Sequence, residues 1–402
     1  MKLKEDVGVL FPQGFLANAL ECGVKSEKQN KPDLTILISE KPANAAAMFT
    51  TNRCCAAPVL VSKAQLETNS KIKAVVTNSG NANAATGEQG LQAAKKILEY
   101  TAEKLNYDTK EILICSTGVI GKQLPISNML KGIDNLSGDF GRDTLKNELF
   151  NHAIMTTDLA VKQCGIELLI DGKSVKIGGA CKGSGMIMPN MATMLAYITT
   201  DAEISVEDLQ RVLKKAVGQS FNKISVDGDT STNDTIIAMA NGVSGVKISL
   251  EKHAEFCEAI NLVCQNLAKK IVLDGEGATK FITVNVCGTK TDAEAETIAR
   301  TIANSPLFKT AMYGENPNWG RVAAAAGRAG IPYDQNLVEI KFGELLVVKN
   351  GVIADYNRDD FIAYLKNKNI ELYLKVGNDT GNATIWTCDF SHAYVDINVA
   401  YN

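Results

Sequence analysis

Segments with helical periodicity alternate with short apolar segments along nearly all of the 402 residues, and this alternation most limits the folds open to the chain. Apolar residues recur at steps of three and four in several stretches, which predicts helices. These are 91–105, 205–216, 256–267 and 293–303. Apolar runs typical of buried strands lie between them, at 112–114, 194–198, 235–240 and 281–286. The sequence therefore predicts an α/β (α+β layered) protein, with helices packed on mixed sheets.

The strand pattern changes towards the C-terminus. From about residue 281 the predicted strands are short and connected by hairpins, and Asn350-Gly351 is a type I′ turn signal between two of them. Asp171-Gly172 predicts an earlier hairpin. Residues 281–402 are therefore expected to form a smaller C-terminal α+β domain.

Composition excludes several classes of function. A formal charge of −3 gives no basic field for a nucleic acid, and no run of eighteen apolar residues predicts a membrane span. The ten cysteines include no C-x-x-C pair, so we expect free thiols, most of them in the core, in a reducing compartment. The N-terminus lacks signal-peptide character, so the expected location is the cytoplasm. Only three histidines are present, which disfavours histidine catalysis.

The most unusual segment is 178–195, GGACKGSGMIMPNMATML, and three interpretations compete for it. A phosphate-binding loop fits poorly, because the spacing matches neither nucleotide-binding glycine pattern. A glycine-rich turn leading into a methionine-lined core strand is the simple structural alternative. The third is chemical: cleavage between Ala192 and Thr193 would give Thr193 a free α-amino group with a pKa of roughly 7.7–8.0. That amine could take the proton of the threonine hydroxyl, so one residue would supply both nucleophile and base.

Three further loops could carry chemistry. Ser116-Thr117-Gly118 at a strand end offers hydroxyl and N–H donors for an oxyanion, although, taken alone, a plain strand-to-loop turn is the favoured explanation. The aspartates of the 226–235 loop fail the EF-hand spacing, so this loop predicts a rigid polar wall and not a metal site. Glu276, between two glycines, could face a cationic ligand, but a solvated surface position is the commoner outcome.

Taken together, these segments resemble the ornithine acetyltransferase family, also described as glutamate N-acetyltransferase. Eight motifs occur in the expected order, nearly end to end. They are 12–15, 56–59, 78–84, 116–121, 182–195, 226–235, 274–280 and 317–321.

The resemblance implies an N-terminal-nucleophile-like architecture and a precursor that cleaves itself between Ala192 and Thr193. The products would be an α chain of residues 1–192 and a β chain of residues 193–402. In the β chain, residues 193–280 would carry the nucleophile and precede the C-terminal domain. The family usually assembles as two α and two β chains, and higher assemblies also exist.

The resemblance also assigns roles to single residues. Thr193 would be the nucleophile of both cleavage and turnover, and Thr117 and Gly118 would hold the oxyanion. Further residues match family positions that contact the substrate. These are Thr156, Lys182, Glu276 and Asn398.

The implied reaction moves an acetyl group from N2-acetylornithine to glutamate in arginine biosynthesis, through an acetyl-Thr193 intermediate in ping-pong order. Lys182 suits the α-carboxylate that both substrates share, and Glu276 suits the ornithine ammonium. How the side-chain carboxylate of glutamate binds stays open. The methionines around Thr193 are expected to line a dry pocket. No metal or organic cofactor is implied, although acetyl-CoA could serve as a second acetyl donor.

Two positions depart from the family pattern. Asn402 stands just before a position where the family has a substrate-contacting Ser or Thr, so either Asn402 makes that contact or it is missing. Asn316 replaces a usual acidic residue. Two rivals are open: a related self-cleaving aminopeptidase or amidohydrolase, which would release acetate without an acceptor, and a non-catalytic ligand-binding protein, which would stay uncut.

Overall fold

The computed structural model describes residues 1–25, 31–188 and 194–400. The chain divides into two compact units. The first comprises Met1–Asn222 and Asp229–Ile271, and the second comprises Lys223–Gly228 and Val272–Asn402.

A nine-stranded mixed sheet forms the centre of the first unit. Its strands are β1 (Leu3–Lys4), β2 (Phe15–Leu20), β3 (Leu34–Phe49), β4 (Lys71–Asn81), β5 (Ile112–Val119), β6 (Lys162–Ile170), β7 (Lys173–Lys182), β8 (Leu195–Thr200) and β10 (Thr235–Ala240). The order is β1-β6-β7-β8-β10-β3-β4-β5, with β2 also paired to β3. The β4–β5 and β8–β10 pairs are parallel.

The 16-residue strand β3 joins two halves of this sheet. Its first part pairs with β2 and β4, the register shifts between Ile38 and Ala43, and its last part pairs with β10. Leu37 and Leu113 from one half share a buried core with Tyr197 and Ile237 from the other. The two halves therefore pack face to face as two layers.

Helices cover both outer faces of these layers. They are α1 (Ala57–Thr68), α2 (Gly87–Leu105), α3 (Ile126–Leu136), α5 (Val206–Gly218) and α6 (Ala254–Leu273). Helix α4 (Thr144–Ile154) instead contributes Phe150 and Ile154 to the core between the layers. Helices α1 to α3 share a buried cluster with β3, β4 and β5. On the opposite side, Val263 and Leu267 of α6 lie within 3 Å of the position that a Cβ on Gly179 would occupy, so α6 packs directly on β7. This close approach needs a glycine.

The second unit has its own sheet and core. Its strands are β9 (Ile224–Ser225), β11 (Phe281–Thr289), β12 (Glu339–Phe342), β13 (Leu345–Lys349), β14 (Val352–Ile353), β15 (Asn369–Lys375) and β16 (Gly381–Cys388), in the order β14-β13-β12-β15-β11-β16-β9. Its helices are α7 (Asp292–Ala303), α8 (Pro306–Tyr313), α9 (Gly320–Gly327), α10 (Arg358–Leu365) and α11 (His392–Ala400). Apolar residues of α7, α8, α9 and α10 pack on the sheet in one buried cluster.

The predicted layered α/β class with mixed sheets is confirmed. Both predicted hairpin turns are present: Asp171 and Asn350 have φ of 49° and 50°, and each is followed by a glycine with positive φ. The predicted end of the strand before Ser116 is wrong, because β5 continues to Val119. No helix among the described residues is both long and apolar enough to span a bilayer.

All ten cysteines lie in the described residues, and all are free thiols, as predicted. The expectation that most of them are core residues is wrong, because only five are buried. Cys54 and Cys287 are exposed.

Candidate active site

Thr117 and Gly118 lie near the carboxyl end of β5, beside the end of β4. Gly80 of β4 pairs with Gly118, and Ser79 pairs with Thr117. Gly118 has a φ of +134°, and a Cβ at this position would lie 2.2 Å from the carbonyl carbon of Gly80. The two strands can run this close only because position 118 is a glycine.

Buried side-chain amides fix this strand end. Asn78 accepts a hydrogen bond from the Ser116 hydroxyl at 2.6 Å and donates to the carbonyl of Asn81 at 2.9 Å. Asn233, from the polar 226–235 loop, donates to the carbonyls of Ala82 at 2.6 Å and Ser116 at 2.8 Å. Because each of these backbone groups is buried and paired, the end of β5 is held rigidly.

Lys182, the last residue of β7, brings three of the predicted site residues together. Its side chain is buried, with 8% of the residue exposed. Nζ donates to Thr156 Oγ1 at 2.8 Å and to Thr117 Oγ1 at 3.2 Å. The structure thus joins Thr117, Thr156 and Lys182 in one cluster within the first unit, from positions far apart in the sequence.

An ion pair that sequence reasoning missed supports this cluster. Asp158 accepts from Lys162 Nζ at 2.6 Å and from the Gly183 N–H at 2.7 Å, and its second oxygen accepts from the Thr156 N–H at 3.0 Å. Burial alone would raise the pKa of Asp158, but the charges of Lys162 and Lys182 and the Gly183 N–H outweigh it and hold that pKa well below its usual value. The carboxylate is therefore ionised, and it orients residues 156 and 183 on both sides of Lys182. The only sequence signal was an Asp and a Lys four residues apart.

Ala192 and Thr193, the predicted cleavage site and nucleophile, lie outside the described residues. The chain on each side of residues 189–193 is tied to the polar loop. The Met188 N–H donates to the Asp229 carbonyl at 2.8 Å, and the Thr235 N–H donates to the Met194 carbonyl at 2.9 Å. Met194 is buried, whereas Met186 is 41% exposed, so the expectation that the methionines jointly line a dry pocket is wrong for Met186.

Glu276 and Asn398 belong to the second unit. Glu276 is only 9% exposed, and its Oε2 accepts from Asn398 Nδ2 at 2.8 Å. The expectation of a solvated surface glutamate is wrong, because α11 covers the 274–280 loop and Gly277 lies against the backbone of Tyr394. The structure joins Glu276 and Asn398 as a pair. Asn402 lies outside the described residues.

A second buried aspartate, also missed from the sequence, fixes the 274–280 loop. Asp389 is 2% exposed and accepts from the N–H groups of Thr279 at 2.8 Å and Lys280 at 2.9 Å, and from the Thr279 hydroxyl. The Ser391 hydroxyl donates to the Gly277 carbonyl at 2.6 Å. These bonds fix the backbone of the loop that carries Glu276.

Comparisons with known proteins agree with the predicted resemblance. The family model described as "ArgJ family" matches residues 16–402. The chain is 43% identical to the "Arginine biosynthesis bifunctional protein ArgJ" of Chlorobaculum tepidum, over 98% of this chain and 96% of that protein. It is 44% identical to the protein of the same name from Bacillus anthracis, over 99% and 97% of the two chains.

Among solved structures, the ArgJ protein of Bacillus halodurans matches with a TM-score of 0.51 and 39% identity. The match covers 52% of this chain and 100% of that one. The two ArgJ relatives match this chain at 43% and 44% identity over nearly its whole length, which shows common ancestry. The chain belongs to the ArgJ family of arginine-biosynthesis enzymes, and it is an acyltransferase.

Proposed function

We propose that this enzyme transfers the acetyl group of N2-acetylornithine to glutamate in two steps, through an acetyl ester on Thr193. The cluster of Lys182, Thr117 and Thr156 beside Gly118 carries this proposal. It combines a buried ammonium group for a carboxylate with hydroxyl and N–H donors for a developing oxyanion.

In the first step, Thr193 Oγ attacks the acetyl carbonyl, and its proton passes to the α-amino group of Thr193. The tetrahedral oxyanion accepts hydrogen bonds from the Thr117 hydroxyl and the Gly118 N–H. When the C–N bond breaks, the leaving nitrogen takes the proton and ornithine departs. Removing one such oxyanion donor typically costs about 10²–10³ in rate.

In the second step, the neutral α-amine of glutamate attacks the ester carbonyl. The C–N bond forms, the C–O bond to Thr193 breaks, and Thr193 regains its proton. The same donors stabilise this second oxyanion, as expected when donor and acceptor share one acyl-enzyme. N-acetylglutamate is the product.

Charge assigns the remaining contacts. Lys182 would pair with the α-carboxylate that ornithine and glutamate have in common. Thr156 orients the ammonium group of Lys182 by accepting a hydrogen bond from it. Glu276, held by Asn398, would pair with the side-chain ammonium of ornithine. A buried carboxylate repels glutamate, so the acceptor needs a different side-chain contact.

We further propose that the chain cleaves itself between Ala192 and Thr193, which would free the amine that acts as base, and that two α and two β chains assemble. Residues 193–402 are 210 of the 402 residues, or 52%. The whole of the solved Bacillus halodurans chain matches 52% of this chain, the same share that residues 193–402 make up. The Chlorobaculum tepidum relative, in contrast, matches along 96% of its own length. A half-length chain in a family with full-length precursors supports cleavage near this point.

Acetyl-CoA as a second acetyl donor is also part of the proposal. The relatives are named bifunctional proteins of arginine biosynthesis, which fits an enzyme that accepts acetyl groups from two sources. Acetyl-Thr193 would be common to both routes. Release of free coenzyme A from acetyl-CoA when glutamate is the only other substrate would support this proposal. No release would restrict the enzyme to N2-acetylornithine.

Denaturing mass spectrometry of the wild type and of Thr193→Ala tests the nucleophile. The 43.2 kDa wild-type chain should give two fragments that meet at Ala192 and Thr193, and the variant should stay whole. After addition of N2-acetylornithine alone, the fragment that begins at Thr193 should become one acetyl group heavier. An active but uncut wild type would rule out the α-amine as base. Acetate release without glutamate, at the rate of transfer, would identify a hydrolase.

A further inference from the structure

Lys25 is a partly buried cation in the first unit that the proposed mechanism has not used. It ends a tight turn after β2, in which four consecutive N–H groups, from Cys22 to Lys25, donate to the carboxylate of Asp33 at 2.7–3.1 Å. Asp33 is fully buried. The backbone position of Lys25 is therefore fixed by the fold.

The turn places Lys25 against the strand pair of the candidate site. A Cβ on Gly80 would lie 2.6 Å from Lys25 Cγ and 3.1 Å from the backbone N of Lys25. Gly80 in turn pairs with Gly118 and contacts it through the backbone. Lys25 thus packs on Gly80, and Gly80 lies between Lys25 and the proposed oxyanion donor Gly118.

The local charges leave Lys25 suited to an added anion. Burial lowers the pKa of Lys25, and the positive charges of Lys31 and Lys182 lower it further. The negative charges of Asp33 and Asp158 raise it, but they do not offset the lowering. Its ammonium donates to the Pro32 carbonyl at 3.2 Å, and no carboxylate of the described residues lies within salt-bridge distance. Two lysines that repel each other near one strand end would both be stabilised by a ligand with two negative groups.

We propose that Lys25 binds the side-chain carboxylate of the acceptor glutamate, while Lys182 binds its α-carboxylate. This inference rests on the proposed function. It resolves a conflict of charge, because a carboxylate such as Glu276 suits the ammonium of ornithine and repels glutamate. Donor and acceptor would then share the α-carboxylate contact and differ in the residue that recognises the side chain.

The test separates the two halves of the reaction. Lys25→Met, Lys25→Arg and the exposed control Lys31→Met are compared with the wild type. The donor half is followed by exchange of labelled ornithine into N2-acetylornithine, which needs no glutamate. The acceptor half is followed by the KM for glutamate and by the rate with glutamine, which has the same shape without the charge.

In Lys25→Met, ornithine exchange should stay within about twofold of the wild type, since the donor side chain does not contact Lys25. The KM for glutamate should rise about 10- to 100-fold, the scale of a charge-assisted hydrogen bond. The preference for glutamate over glutamine should shrink by a similar factor. Lys25→Arg should keep most of that preference, and Lys31→Met should behave as the wild type.

Three results would overturn the inference. An unchanged KM for glutamate in Lys25→Met would remove the contact. An equal loss of ornithine exchange and glutamate transfer would reduce Lys25 to a structural role through the Pro32 carbonyl. Absence of ornithine exchange in the wild type would overturn the proposed function, and the role of Lys25 with it.

Discussion

Two buried aspartates, one in each unit, hold the segments that carry the proposed substrate contacts, and they do so by different means. Asp158 accepts from an ammonium group, Lys162, as well as from the Gly183 N–H. Asp389 accepts from two backbone N–H groups and one hydroxyl, all from Thr279 and Lys280. Both aspartates accept several hydrogen bonds, and the first also forms an ion pair with a buried ammonium group.

The two aspartates differ because the segments they support carry side chains of opposite charge. Lys182 is a buried cation, and a carboxylate paired with Lys162 offsets positive charge around it without touching the substrate. The 274–280 loop presents a carboxylate, Glu276, and needs a fixed backbone more than a second charge nearby. The same residue type therefore carries out two tasks, which substitution by Asn should separate.

The largest expected effect is that of Asp158→Asn. The side chains of Asp158 and Lys162 are 0% and 1% exposed, so the variant would leave a buried ammonium without its counter-charge. Breaking such a pair costs about 3–5 kcal/mol in the free energy of unfolding. Denaturant unfolding would measure it. Asp171→Asn, at an exposed turn, is the matched control and should stay within about 0.5 kcal/mol of the wild type. Equal free energies of unfolding for Asp158→Asn and Asp171→Asn would contradict a stabilising ion pair between Asp158 and Lys162.

The pH dependence should show the same ionised carboxylate. Because the pKa of Asp158 is lowered on folding, its stabilisation is fully present above the unfolded value of about 3.9 and is lost as the pH falls towards the lower folded value. The stability difference between wild type and Asp158→Asn should therefore be constant above about pH 5 and shrink below about pH 4. Urea unfolding at several pH values would measure it. A difference that grows on acidification would show that the sign is wrong.

Asp389→Asn should have a smaller effect. An amide keeps one acceptor oxygen for the N–H groups of the loop and exchanges only the other, which faces the Thr279 hydroxyl. We expect a loss of about 1–2 kcal/mol in stability and a raised KM for N2-acetylornithine, because Glu276 moves with the loop. Unfolding and steady-state kinetics would measure both, with the exposed Asp379→Asn as control. A loss as large as that of Asp158→Asn would end the distinction between the two aspartates.

The smallest effect is expected at an exposed ion pair. Lys4 and Glu167 lie 3.0 Å apart with side chains 41% and 38% exposed. Lys4→Gln should change the free energy of unfolding by about 0–1 kcal/mol, and less at high salt. Unfolding at two salt concentrations would measure it. If Lys4→Gln lowered the free energy of unfolding as much as Asp158→Asn does, burial would not explain how much each ion pair stabilises the fold.

Much of the secondary structure was predictable, because it depends on neighbours in the sequence. Helix α2 ends at Leu105, where its apolar pattern stops, and α6 ends at Leu273, directly before Asp274-Gly275. The Asp171-Gly172 and Asn350-Gly351 turns also follow from backbone preferences of single residues. The extension of β5 through Gly118 was not predictable, since its pairing with Gly80 depends on a second strand and on Asn233 far along the chain.

The site shows the same division. Its motifs were enough to predict the family and to single out Thr117, Thr156, Lys182 and Glu276. They did not reveal which groups hold these residues, since the partners are distant: Thr279 and Asp389 are separated by 110 positions, and Thr117 and Lys182 by 65.

The sequence by itself determined helices α2, α5, α6 and α7, the two hairpin turns and the family, because periodicity, steric preference and ordered motifs are all local. Only the tertiary structure decided that Asp158 is an ionised support, that Glu276 is buried, and that Lys25 lies beside Gly80. Those properties depend on the removal of water and on charges that the fold brings together, and no spacing in the chain encodes them.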